Sequence, residues 1–437
     1  MELTAGDVWV MVSAALVLLM TPGLAFFYGG MARAKASLNM IMMSFVSIGL
    51  VAVVWVLWGY SMTGGEGLLL GLVGDPTAAF GMSGIVGTTD LVAAGFGATF
   101  AIITVALISG AIADRTRFAA WAVFVPVWVT LVYAPLAYMV WGGGLLGEDG
   151  LIGRAAGVAI DFAGGTVVHI NAGVAALVLV YVIGRRTGWS PAIHRPHNIP
   201  LVMLGAALLW FGWFGFNGGA AGSVEEGGLI WVNTLVAPAA AMLSWMLTER
   251  LRDGAPTSVG AASGVVAGLV AITPACASVS PVGAILLGLA AGVASALAVG
   301  LKYRLGYDDS LDVVGVHLVA GLVGTVGIGF LALPVAGEGG GLFYGGGLDQ
   351  LWAQVVAALF TMLFTAVLTL LIGLAIARTI GFRVSAEDEE RGVDLSEHRE
   401  TAYELGGMLV AGEFDPMAPG AQDEIRAEAE GEAPVRT

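Results

Sequence analysis

The stretch "DFAGGTVVHINAGVAALVLVYV", Asp161 to Val182, decides how this chain is read. Its run of Val, Ala and Leu suits the interior of a bilayer, whose core of about 30 Å takes roughly 20 apolar residues to cross as a helix. Yet an aspartate opens the stretch and His169 lies inside it. An ionisable side chain among such neighbours is costly to desolvate, so the histidine has to be either paired or functional.

The rest of the chain shares this character. Of 437 residues, 57% are hydrophobic and 12% charged, with a mean hydropathy of +0.87. Soluble proteins average about 25% charged residues, so the composition specifies an all-α polytopic membrane protein. The 66 glycines sit inside apolar runs, where small residues let helices approach closely. Cys276 is the single cysteine, which leaves no intramolecular disulfide and no cysteine-rich metal site. Most of the net charge of −15 belongs to a tail: from Ala386 onward, 15 acidic and 4 basic residues give −11. Blocks such as "AEDEERG" read as solvated, and no nucleic-acid-binding patch is present.

Apolar runs predict eleven transmembrane helices, at 8–27, 40–59, 93–113, 119–140, 164–183, 200–216, 229–248, 257–275, 282–301, 313–333 and 351–377. Arg33, Lys35, Arg115, Arg117, Arg185, Arg186, Arg195, Arg250, Arg252, Lys302, Arg304, Arg378 and Arg383 all follow odd-numbered spans, and only Arg154 follows an even one. Basic loops stay cytoplasmic, which predicts an outside N-terminus and a cytoplasmic C-terminus. The start "MELTAGDVWV" lacks a basic region before its apolar run and reads as a retained helix. Acids such as Glu2, Asp7, Glu148 and Glu338 fall in the outward loops; they accumulate where bases are excluded, and a surface of one sign also raises the local concentration of cations.

The chain divides into a transmembrane region, 1–385, and an acidic cytoplasmic tail, 386–437. Within the first, "VVHINAG" and "VGVHLVAG" each place a glycine four residues after an intramembrane histidine, at Gly173 and Gly321. "FFYGG" and "GFNGG" end the first and sixth spans. Two halves of five spans, about 8–183 and 200–333, therefore read as inverted repeats, with 351–377 an extra helix.

Of five histidines, His194 and His197 lie in a basic loop and His398 in the tail. His169 and His317 are equivalent positions of the two halves, which inverted repeats bring together near the membrane midplane. Three readings compete for the pair. They can be satisfied core histidines. They can ligate haem or a metal, although no further ligand or carboxylate lies near. Or they can line a pore and relay protons, the reading that the symmetry favours. Asp161 is a helix cap or a field that favours cations, and the two roles are compatible. Asp312, before span ten, is its comparable feature. Trp141 can attract a cation over its face or sit as a belt tryptophan. For Phe96, Phe100 and Phe216, spacing alone favours packing.

Together these residues resemble the ammonium transporter family, which includes the Rh glycoproteins. The motifs that carry the likeness are "PGLAFFYGGMARAK" (22–35), "DFAGGTVVHINAG" (161–173), "RPHNIP" (195–200), "GWFGFNGG" (212–219), "ITPACA" (272–277) and "DDSLDVVGVH" (308–317). The resemblance runs from Val8 to Tyr403 and implies a homotrimer in the cell membrane, with one pore per subunit. It implies that Trp141, Phe100 and Phe216 recruit ammonium, with methylammonium as an analogue, and that Asp161 assists. Phe100 and Phe216 would form a gate, and His169 and His317 would line a hydrophobic conduit. No catalytic residue, cofactor or metal is implied. The segment 390–404 resembles the family's regulatory segment, which in bacterial members meets a PII-type signal protein; a sensor signalling through the tail is the alternative function. Passive conduction of carbon dioxide is another. In one departure, the chain reads "GFNGGAAG" where bacterial members commonly read "GFNAGSAG", so Ala220 replaces a serine hydroxyl.

Overall fold

The structure, a computed structural model, describes residues 3–190, 196–334 and 340–403. The expectations for Glu2, His194, Arg195, Glu338 and the tail beyond Tyr403 lie outside those residues. Eleven apolar helices order the bundle: α1 (Ala5–Met31), α2 (Ala34–Gly59), α3 (Asp90–Ile112), α4 (Phe118–Trp141), α5 (Gly165–Ile183), α6 (Ile199–Gly218), α7 (Val224–Asp253), α8 (Ser258–Ile272), α9 (Pro281–Leu305), α10 (Val314–Leu331) and α11 (Asp349–Thr379). Ten of them are long and apolar enough to cross a membrane. Among the described residues α8 is the exception, at 15 residues.

The run 257–275 predicts a longer helix than α8 because hydropathy does not see its stop. Thr273 keeps helical geometry and its N–H still bonds the Leu269 carbonyl at 3.2 Å, but Pro274 has no N–H to continue the ladder, and the helix ends at Ile272. From Gly260 to Ile272 every residue of α8 is buried, so this helix runs through the middle of the bundle. Around it, α1 packs along α6, and α7 along α8 and α9.

Helices α5 and α10 cross where their histidines lie. A side chain on Gly173 would place its Cβ 2.6 Å from the backbone nitrogen of Leu318. One on Gly321 would place it 3.3 Å from the Cβ of His169. These two glycines are therefore what allows the close crossing. Both helices also begin with a π-helical turn, Gly165–Ile170 and Val314–Val319, and each turn contains the histidine. Such turns are rare and cluster at functional sites.

The tail differs from the expectation of a solvated segment. Residues 386–403 fold against one end of the bundle, hereafter the tail side, with Glu389 fully buried and Asp394 1% exposed. The reason is that its carboxylates meet free backbone donors, at the starts of α2 and α4 and in the turn that follows α5. Asp394 accepts from the N–H groups of Leu38 and Asn39 at 3.0 and 2.8 Å. Glu397 accepts from Phe118 N–H at 2.8 Å, and Glu389 from Thr187 N–H at 2.7 Å and from Arg383 at 2.6 Å. His398 meets the Asn39 side-chain oxygen at 2.9 Å, and His197 meets the Tyr403 hydroxyl at 2.8 Å.

Beneath the tail lies a buried ion network. Arg186 bonds Asp308 and Asp114, each at 2.8 Å, joining the ends of three spans. Burial alone would raise the Asp308 carboxyl, but the Arg186 hydrogen bonds and the Arg115 charge outweigh it and hold it below its ordinary value. A carboxyl depressed on folding contributes stability above its unfolded pKa and loses that contribution as pH falls through the folded one. Arg186→Leu is expected to cost about 3–5 kcal/mol at pH 7, because it removes the 2.8 Å partner of two buried carboxylates and leaves them the more distant Arg33, at 3.3 Å from Asp114, and Arg115, at 3.9 Å from Asp308. The gap to the parent should narrow below about pH 4, where those carboxyls protonate. Thermal unfolding in detergent at both pH values checks this, and a variant as stable as the parent at pH 7 would contradict it.

Candidate functional site

On the side away from the tail, α3, α4 and α6 bring three aromatic rings together. Phe100 and Phe216 stack with centroids 4.2 Å apart and planes at 20°. Trp141 stands edge-on to Phe100 at 6.3 Å, and Phe96 packs edge-on to it at 4.8 Å. Packing and a shared site are thus one arrangement here. Trp141 ends α4 and is 41% exposed, yet its ring is fixed, because the indole N–H donates to the Asp161 carbonyl at 2.8 Å. A belt tryptophan would leave that group to the lipid interface.

The rings form the floor of an open cavity of about 350 Å³, lined also by Trp55, Tyr60, Tyr133 and Ala220. Phe216 separates it from a narrow void of about 10 Å³, which runs past His169 and His317. The walls of that void are largely apolar, with Leu24, Ile103, Leu107, Leu209, Val266 and Val316, and two hydroxyl residues, Tyr28 and Ser263, also line it. About 10 Å³ is at the lower limit of what holds one water.

Within it the two imidazoles lie nearly coplanar, at 17°, with Nδ1 atoms 3.3 Å apart. One Nδ1 must donate and the other accept. In the neutral pair, one ring therefore presents a bare Nε2 and the other an Nε2–H. Both rings are buried, at 1% and 2% exposure, and the His169 Nε2 has no hydrogen-bond partner among the described residues. Buried polar atoms are seldom left this way in a satisfied core.

Asp161 does not line either cavity. Gly164, at φ 114°, turns the chain so that the first donors of α5 point back at the carboxylate. It accepts from the N–H groups of Gly164 at 2.9 Å, Gly165 at 2.5 Å, Thr166 at 2.9 Å and Val167 at 3.2 Å, and from the Thr166 hydroxyl. The cap is complete, and the same residue's carbonyl positions Trp141. Gln354 of α11 pins the preceding strand of chain by bonding both backbone groups of Ile160, at 2.7 and 2.9 Å.

The counterpart of Asp161 is not Asp312. Asp309 lies eight residues ahead of His317, as Asp161 does of His169. It is 1% exposed and accepts from the N–H groups of Val313 at 3.1 Å and Val314 at 2.8 Å. Burial pushes its carboxyl up to about 6. Asp312 instead pairs with the buried Lys302, at 2.6 Å, and its own side chain is 25% exposed. The equal spacing was the signal that could have found Asp309. A second residue missed is Trp213, stacked on His169 at 5.5 Å and 17°. It lies three residues before Phe216, hence on the same face of α6.

A model of the Ammonium Transporter Family matches residues 8–403. An "Ammonium transporter" of Mycobacterium tuberculosis is 52% identical over 430 residues, covering 91% of this chain and 90% of the relative. One from Aquifex aeolicus is 46% identical over 411 residues, covering 92% and 94%. Among solved structures, Mep2 of Candida albicans superimposes with a TM-score of 0.80 at 31% identity, covering 88% of this chain and 87% of that one. A "Sensor Amt Protein" does so at 0.81 and 28%, covering 90% and 98%.

Proposed function

The chain belongs to the ammonium transporter family, and on that premise we propose that it recruits NH4+ at the aromatic cavity, deprotonates it near the phenylalanine pair and conducts NH3 past the two histidines. The observation that carries this is the apolar void with two imidazoles sharing one Nδ1–Nδ1 contact of 3.3 Å. The protein is a multi-pass membrane protein of the cell membrane. In the proposal the N-terminus is outside, the tail side is cytoplasmic, all eleven helices span, and α1–α5 and α6–α10 are the inverted halves.

Each residue then has a task. Trp141, Phe100 and Phe216 draw the cation from water by their ring faces. The Asp161 carboxylate lends a negative field behind them while it caps α5. The stacked Phe100 and Phe216 are the gate. Past it, no carbonyl cage replaces a hydration shell, so potassium stops. Ammonium passes because it can leave a proton behind. The proton is taken up at one Nε2, crosses the shared Nδ1 contact and leaves from the other Nε2, which reverses the tautomers of the pair. NH3 regains a proton on the cytoplasmic side. The homotrimer and a PII-type partner at the tail side enter the proposal on family resemblance alone.

A transporter-deficient cell that expresses this chain is expected to take up ammonium and grow on low concentrations of it. A sensor acting through the docked tail, in the manner the name "Sensor Amt Protein" suggests for that neighbour, would signal without restoring uptake. At the recruitment site, Ala220 lines the cavity without a hydroxyl. Ala220→Ser should restore a hydrogen bond to the cation worth about 1.5–3 kcal/mol, lowering half-saturating ammonium by roughly tenfold or more. Uptake kinetics over a range of ammonium concentrations measure it, and an unchanged half-saturation counts against the assignment.

A further inference from the structure

We propose that α11, the helix left over from the two halves, positions His169: Thr365 of α11 and Asn171 of α5 together brace the π-helical turn that carries the imidazole. This rests on the relay role given to His169 above. A π-helical turn holds one residue more than an α turn and is rare without something to keep it open. Its support is visible in the hydrogen bonds around Asn171. The backbone N–H of Asn171 bonds the Thr166 carbonyl, five residues back, and the Val168 carbonyl, three back. Between them the Val167 carbonyl, its ordinary α-helical acceptor, takes the Asn171 side-chain NH2 instead, at 3.0 Å. The Thr365 hydroxyl then donates to the Asn171 side-chain oxygen at 2.7 Å. Both side chains are fully buried.

A buried amide among apolar side chains is costly unless it is bonded, and leucine would fill the same space without that cost. Here the amide does two things leucine cannot: it closes the wide turn from within α5, and it gives α11 a polar hold on that turn. Returning the turn to α-helical geometry would rotate the residues before it by about 100° relative to those after it. Gly173 lies after the turn and sets α5 against Leu318 of α10, while His169 lies inside the turn. The rotation would therefore fall on the imidazole, and its 3.3 Å contact with the His317 ring would part. The brace is not a feature of the repeat, because two residues after His317 stands Val319, which has no polar side-chain group. A second polar hold lies at the start of α5, where Gln354 bonds both backbone groups of Ile160 and donates to the Thr325 carbonyl of α10 at 2.9 Å. Helix α11 thus grips α5 at its entry and at the turn that aims the histidine.

The test uses the purified full chain in liposomes, with proton-coupled current measured over a range of ammonium concentrations for Thr365→Val, Thr365→Ser, Asn171→Leu and His169→Leu. Valine keeps the outline of Thr365 and removes its hydroxyl, whereas serine keeps the hydroxyl. The expected result is a maximal current roughly 10- to 100-fold lower in Thr365→Val and Asn171→Leu, the scale of loss when a reacting group is displaced by about 1 Å. Half-saturating ammonium should be unchanged, because the aromatic site is untouched, and Thr365→Ser should conduct like the parent. Parental maximal current in folded Thr365→Val and Asn171→Leu overturns the brace and leaves the relay standing. An equal loss in Thr365→Ser also overturns it, since packing alone would then account for Thr365, and so does a change confined to half-saturation. Undiminished current in His169→Leu overturns the relay instead. The brace is then decided by a crystal structure of Thr365→Val: a turn returned to α-helical geometry sustains it, and an unchanged π-helical turn with the two rings still in contact overturns it.

Discussion

His169→Leu and His317→Leu are each expected to lower proton-coupled ammonium current by about 10²-fold or more, the usual contribution of a positioned proton-transfer group. The proposed relay needs two rings, because in it a proton accepted at one Nε2 leaves through the Nδ1–Nδ1 contact of 3.3 Å. Leucine at either position ends the chain of acceptors. The fold should survive, since leucine suits apolar walls such as Leu209 and Val316. The remaining histidine loses its partner, at a cost of about 1–3 kcal/mol. Thermal unfolding separates that cost from the loss of current. Undiminished, potassium-excluding current in both variants would sink the relay.

Asp161→Ala should be the most damaging change for stability. It strips four backbone N–H groups and one hydroxyl of their acceptor at a buried helix start. Each buried donor left unpaired costs about 1–3 kcal/mol, so the loss approaches the whole stability of an ordinary domain. Asp161→Asn keeps one acceptor oxygen but turns an NH2 group toward the remaining donors, and should fall between alanine and the parent. Trp141 is held by the Asp161 carbonyl rather than its side chain, so its position is lost only if the turn itself unfolds. Folded yield and unfolding temperature in the order parent, asparagine, alanine check this; an alanine variant equal to the parent would refute the cap.

Much of the bundle was legible because crossing a membrane leaves a one-dimensional mark, an apolar run of fixed length. Where the mark failed it failed locally. Hydropathy carried the eighth span through to residue 275, while Pro274 stops α8 at Ile272. The candidate site was legible in its members but not in their contacts. Equivalent placement of His169 and His317 is a property of sequence, whereas the π turns that aim them and the glycines that let α5 cross α10 depend on packing. Asp161 read equally as cap or field, and only the folded chain shows its carboxylate engaged by the α5 donors. The docked tail was misread for a related reason. Composition counts Glu389 and Asp394 as solvated charges, but Thr187, Leu38 and Asn39 supply donors from distant parts of the chain, and Arg383 adds one from six residues away.

Current across liposomes bearing the purified protein, under an ammonium gradient and then under an equal potassium gradient, tests the central claim most directly. Deprotonation with separate passage of NH3 and a proton predicts a saturable current with ammonium and none with potassium. A potassium current of similar size, or ammonium flux absent under the same gradient, would contradict it.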